Sequence, residues 1–173
     1  MIKITNKIFI ELAKKAMKEY ITQGKKIQAP DPLPVEFDRK AGSFVSIKKD
    51  GDLRGCIGTV KATQDNLAEE IIENAISAST QDPRFPSIKE RELADLKISV
   101  DVLGQAEEID NIQKLDPENY GVIVEKGNRR GLLLPNLEGV DTVEEQVGIA
   151  LRKAGIYSMK GVQLYRFQVR RYE

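Results

Sequence analysis

The chain contains no histidine, no tryptophan and only one cysteine, Cys56. Without histidine, no Ser-His or Cys-His nucleophile–base pair can be assembled from it. A zinc site with imidazole ligands is excluded too, and one thiol is too few for a thiolate cage. Any catalytic base must be Asp, Glu, Lys, Tyr or the thiolate itself. No tight acidic cluster marks a carboxylate-bound Mg²⁺ site, so neither a metal nor another cofactor is expected.

A lone cysteine forms no intramolecular disulfide and suits a reducing compartment. No apolar run approaches the roughly 20 residues of a membrane span, and the apolar residues at the N-terminus are helically spaced, unlike a secretory leader. A cytoplasmic location without membrane association is expected. Charge of one sign is also missing. Twenty-seven Lys and Arg balance 27 Asp and Glu, leaving no net field to attract nucleic acid. The local pairs Lys25-Lys26, Arg129-Arg130 and Arg170-Arg171 read as solvated surface.

With 173 residues, 40% hydrophobic and 31% charged, the chain is sized for one domain spanning residues 1–173, built from a larger and a smaller lobe. Ile8, Phe9, Leu12, Ala13, Ala16, Met17 and Tyr20 share one face of an opening helix, capped by Thr5 or Asn6 and ended by Gly24. Pro30, Pro32 and Pro34 then impose an extended connector. Residues 43–48 and 53–60 read as strands around Asp50-Gly51, a two-residue hairpin turn. That register sets Val45 opposite Cys56 and Ile47 opposite Arg54. Alternation then places Arg54 and Cys56 on one face, with Leu53 and Ile57 on the other. Gly55 and Gly58 weaken a strand, so each implies a bulge or the close approach of a backbone or ligand.

A helix follows Thr63 to about Ser79, with Leu67, Ile71, Ala75 and Ala78 inward and Asp65, Glu69 and Glu70 complementing its dipole. Two prolines stiffen Gln81-Asp82-Pro83-Arg84-Phe85-Pro86. Ser87 and Glu90 form a capping box, and Ile98, Val100 and Val102 alternate as a strand. Beyond a polar connection over residues 109–119, a second hairpin joins residues 122–124 to 132–134. Thr142 and Glu145 open a helix closed by Gly155, and a last strand holds Leu164, Phe167 and Val169. Gly121, Gly127 and Gly131 read as turn residues, since no phosphate-binding glycine pattern occurs. No internal repeat is visible. The whole predicts an α+β fold, a mainly antiparallel sheet with packed helices.

Phe44-Val45-Ser46-Ile47 leading into Leu53-Arg54-Gly55-Cys56-Ile57-Gly58 resembles the signature of the AMMECR family, whose bacterial and archaeal members are called protein A of the AmmeMemoRadiSam system. Asp82-Pro83-Arg84-Phe85-Pro86 is similar to its second motif. Arg130-Gly131-Leu132-Leu133-Leu134-Pro135, with Arg152-Lys153-Ala154-Gly155, is similar to its third. The resemblance implies two unequal lobes with the first motif near a groove between them, and partners resembling the MEMO family and a radical-SAM enzyme. It implies no particular reaction.

The expected site is therefore the 53–58 segment with Asp82, Arg84, Phe85 and Arg130. A guanidinium beside Cys56 favours its thiolate and burial disfavours it, so two readings stand: a small buried hydrophobe or a nucleophile. Arg84 either pairs with Asp82 or presents its guanidinium to a carboxylate or phosphate, with Phe85 offering a stacking face. Arg54 either points to solvent or joins Arg84 and Arg130 in converging on an anionic or nucleotide-like ligand. An RNA or protein interaction module without chemistry is the third reading.

Overall fold

The computed structural model describes residues 2–4, as strand backbone, and 7–173. The chain forms two compact units, one of Lys3–Leu103 with Arg171–Glu173 and one built essentially of Gly104–Arg170. The fold is α+β, with two sheets rather than one.

Strands β1 (Ile2–Ile4), β2 (Ser43–Lys49), β3 (Asp52–Gly58), β4 (Leu96–Leu103) and β9 (Val169–Tyr172) form a sheet ordered β1-β9-β4-β2-β3, in which β2, β3 and β4 belong wholly to the larger unit. Helices α1 (Ile8–Gln23) and α2 (Leu67–Thr80) supply the other half of its core. Val45, Ile47, Ile98 and Val100 point to the helices, joined by Phe9, Ala13, Leu67 and Ile71. Each fully buried aliphatic side chain here contributes about 1.5–3 kcal/mol. The cap expected at Thr5 or Asn6 falls outside the described residues, and the helix opens at Lys7 without a side-chain cap bond. Gly24 ends it in the left-handed conformation, as its sequence position predicts.

Asp50 and Gly51 both have positive φ, as the hairpin turn requires. The predicted register is nevertheless off by one. Ile47 faces Gly55 and Lys48 faces Leu53, so Arg54 is the extra residue of a β-bulge. Beyond it Ser46, not Val45, lies opposite Cys56. Helix α2 starts later than expected. Asn66 caps it by accepting from the Glu69 N–H at 3.0 Å, and Thr63 instead serves Glu70. The next turn is capped at Lys89, whose N–H donates to Glu92 at 3.0 Å, not by Ser87 and Glu90. Ser87 donates to the Thr80 carbonyl.

The smaller unit holds β5 (Glu107–Ile109), β6 (Gly121–Lys126), β7 (Arg129–Leu133), α3 (Val143–Ala154) and β8 (Gln163–Phe167), with sheet order β5-β8-β6-β7. Thr142 and Glu145 form the predicted capping box. Gly121 and Gly131 lie in strands rather than turns, because a side chain at 121 would meet the Phe167 ring and one at 131 the Ala150 carbonyl. The expected last strand is two, β8 and β9, which belong to different sheets.

A repeat invisible in the sequence emerges from the topology. In both units a hairpin is followed by a helix and a strand that returns antiparallel to the first hairpin strand: β2-β3-α2-β4 and β6-β7-α3-β8.

Candidate functional site

Strand β3 is a sheet edge, and an edge leaves backbone N–H and C=O groups without partners. The 82–86 loop supplies them at Cys56. Asp82 Oδ2 accepts the Cys56 N–H at 2.9 Å, and Arg84 Nη2 donates to the Cys56 carbonyl at 3.3 Å. Arg84 closes the brace on Asp82 through Nε at 3.0 Å, Nη2 at 2.8 Å and its own N–H at 3.0 Å. Its guanidinium also lies 5.4 Å from the Phe85 ring centre. Asp82 is buried. The Arg84 side chain, outweighing burial, and the two backbone N–H groups hold its carboxyl well below the usual carboxylate range.

Arg54 does not stand over the thiol. The bulge turns it toward Glu92, which it grips through Nε–Oε1 and Nη2–Oε2, both 3.1 Å, while Nη1 donates to the Pro86 carbonyl at 2.8 Å. That guanidinium brings the Glu92 carboxyl down to about 2, helped by the Lys89 N–H and Lys49. Arg130 pairs with Glu125, its cross-strand neighbour, at 3.1 Å. Each of the three arginines therefore has its own carboxylate.

The glycines are explained by protein atoms. A Cβ on Gly55 would lie 2.2 Å from the Ala78 carbonyl oxygen, and one on Gly58 would lie 2.3 Å from the Phe44 ring. Leu53 is partly exposed, whereas Ile57 packs against the larger core opposite Val45.

Cys56 is half-buried, with Sγ 3.2 Å from Ser46 Oγ. Asp82 is the carboxylate bound to its backbone, but it is saturated by N–H donors and strongly acidic, which makes it a poor proton acceptor. Among the described residues no cluster of three or more Cys, Asp and Glu groups is arranged to hold a metal ion. No described helix is long and apolar enough to cross a membrane.

The sheet face turned away from the helices carries residues that the sequence reading passed over. Register sets two rows across three strands: Cys56–Ser46–Ser99 and Leu53–Lys48–Lys97. Lys48 and Lys97 sit directly opposite each other, both exposed, and neither has an ion-pair partner among the described residues. Like charges so placed are destabilising. Beside them opens a pocket of about 680 Å³, whose lining includes Ser46, Lys48, Leu53, Lys97, Ser99 and Ile10. Arg171, read from sequence as solvated, also lines it and clamps buried Asp101 at 2.7 and 2.6 Å. The signal was present in the period-2 alternation Ser46–Lys48 and Lys97–Ser99 around buried Ile47 and Ile98.

Asn74 was also missed, and Glu70 was read from the sequence only as a partner of the helix dipole. One turn apart on α2, both are buried. Glu70 accepts from Thr59, from the Thr63 N–H at 2.7 Å and from the Gln64 N–H at 2.9 Å, and Asn74 donates to the Ser43 carbonyl at 3.0 Å. Glu70 is thus an internal clasp rather than a surface partner of the helix dipole.

The family model described as AMMECR1 matches residues 10–172. A Thermotoga maritima protein is 52% identical over 168 residues, covering 95% of this chain and 97% of its own. A Clostridium acetobutylicum protein is 50% identical over 167 residues, covering 95% of this chain, which spans only 36% of that longer relative. Among solved structures, an uncharacterized Pyrococcus horikoshii protein matches with a TM-score of 0.85 at 32% identity, over 95% of this chain and 89% of that one.

Proposed function

The chain belongs to the AMMECR1 family, and from that premise we propose that it is a cytoplasmic accessory component that binds a small anionic ligand on the sheet face beside Cys56. It acts there without thiol chemistry of its own. The observation that carries this reading is the Lys48–Lys97 pair, two facing cations beside a pocket. A bound anion between them relieves their repulsion, with the Ser46 and Ser99 hydroxyls available as donors. The first motif supports the pocket indirectly. The bulge at Arg54 and the Asp82–Arg84 brace fix the strand that carries Leu53 and Cys56.

Partners resembling the MEMO family and a radical-SAM enzyme complete the proposal, as in the AmmeMemoRadiSam system that the motifs resemble. The Clostridium relative supports a working association with other protein, because there this domain is one part of a much longer chain. The nucleophile reading is disfavoured by the saturated, strongly acidic carboxylate of Asp82.

Calorimetric titration with pyrophosphate tests the anion site. The wild-type chain and Cys56→Ser should bind alike, while Lys48→Ala/Lys97→Ala should bind about tenfold or more weakly, as loss of about 1.4 kcal/mol implies. Equal binding by the double variant removes the site.

A further inference from the structure

We propose that this pocket takes an aliphatic chain bearing a terminal phosphate or carboxylate, an inference that rests on the anion site above and specifies its ligand. A lone phosphate would leave most of a recess of about 680 Å³ unfilled, a size in the range of pockets that enclose drug-sized molecules. Its apolar lining is aliphatic: exposed Leu53 at the hairpin, backed by the buried Ile10 on α1 and the buried Leu96 and Ile98 on β4. Leu53 is 39% exposed, one of five large hydrophobic side chains left open to solvent among the described residues. An exposed leucine beside two unpaired lysines forms an amphipathic site, since lysine stems lie along apolar surface while the ammonium groups stay at the mouth.

The lining also discriminates between ligand classes. It contains no aromatic ring, so nothing there stacks on a nucleobase. Phe85, the aromatic of the second motif, is not among the lining residues and faces its own neighbour Arg84. The charge balance favours an anion. Lys7, Lys14, Lys48, Lys97 and Arg171 line the pocket against Glu11 and Glu173, and with Arg171 bound to Asp101 four cations still face two carboxylates.

Titration calorimetry on the full chain with inorganic phosphate, AMP and decyl phosphate below its micelle concentration tests this. Decyl phosphate should bind one per chain and about 30-fold tighter than phosphate, as burial of two to three methylenes gives. Leu53→Asn should narrow that gap to a few-fold and leave phosphate binding unchanged. Equal affinity for phosphate and decyl phosphate would overturn the aliphatic wall while leaving the anion site intact. AMP binding tightest would replace it with a nucleotide site, and no binding by any probe would remove both proposals. Several decyl phosphates per chain, indifferent to Leu53→Asn, would mean surface adsorption and also overturn it. The protein should stay in the supernatant with phosphatidylcholine vesicles containing phosphatidic acid. Co-sedimentation would assign the same chemistry to a lipid surface instead of a free ligand.

Discussion

The two hairpins are built on one plan and finished differently. In each, the arginine-glycine step sets a glycine under a helix. The Cβ that Gly55 lacks would lie 2.2 Å from the Ala78 carbonyl oxygen, and that of Gly131 2.0 Å from the Ala150 carbonyl oxygen. Four residues before each of those alanines, an amide side chain holds the residue that precedes or opens the first strand. Asn74 donates to the Ser43 carbonyl at 3.0 Å, and Gln146 to the Tyr120 carbonyl at 2.7 Å. Gly55 faces Ile47 as Gly131 faces Val124. These shared parts are scaffold.

The differences lie on the opposite sheet face. Where the larger unit has Cys56–Ser46–Ser99, the smaller has Leu132–Ile123–Tyr165. Where Lys48 faces Lys97, Glu125 faces the neutral Gln163, and on its other side it closes an ion pair with Arg130. The smaller unit settles its charges internally, and the larger one leaves two cations facing each other. Only the larger one also carries a bulge and a carboxylate–guanidinium brace along its edge strand. Motif residues can thus mark the frame of a site while its contacting groups lie on the neighbouring strands.

The largest expected effect tests the shared plan. Gly55→Ala and Gly131→Ala should each cost about 3 kcal/mol, because the added methyl meets backbone that cannot rotate away. Urea midpoints measure this, and a neutral Gly131→Ala would break the equivalence.

The next effect concerns the brace and clamp that only the larger unit has. Removing Asp82 or Arg54 should cost about 2 kcal/mol, since either change leaves a charged partner without its hydrogen bonds. Loss of folding cooperativity is not expected, because the core beneath is untouched.

Acid should weaken the larger unit in a defined window. The folded carboxyls of Asp82 and Glu92 lie below their ordinary values of 3.8 and 4.5. Their contribution is present above those values and is lost as pH falls, for Glu92 through about 2 and for Asp82 lower still. Glu92→Gln should flatten that slope in denaturation curves taken between pH 5 and pH 2, a span of about three units that covers the Glu92 window. An unchanged slope would mean that the pair does not govern acid sensitivity.

The smallest effect is the most diagnostic in sign. Lys97→Ala should leave stability unchanged or raise it by about 0.5 kcal/mol, because it removes a facing like charge. Glu125→Lys in the smaller unit should lower stability by a similar amount, and thermal midpoints at low salt resolve the contrast.

Much of the frame was legible in the sequence. The α+β class, the Asp50-Gly51 turn, the Thr142–Glu145 box and the Gly24 and Gly155 helix ends follow from local chemistry. The bulge was not legible, since whether a strand takes up an extra residue depends on what its edge meets, here Pro86 and Glu92 from 32 and 38 residues away. That single residue exchanged the faces of Arg54 and Leu53 relative to Cys56. The site was half legible. The glycines were rightly read as needing a close neighbour, and that neighbour is helix carbonyl or aromatic ring. Ser99 and Lys97 escaped notice because only sheet register brings them beside Ser46 and Lys48. The repeat escaped because the two halves share contacts and topology more than side chains.

The most direct test of the account is backbone amide chemical-shift mapping of the full chain titrated with pyrophosphate. Saturable shifts are expected at Ser46, Lys48, Lys97 and Ser99, with Arg84 and Arg130 unmoved. Shifts centred on Arg84 or Arg130 would contradict it and return the anion site to the arginines.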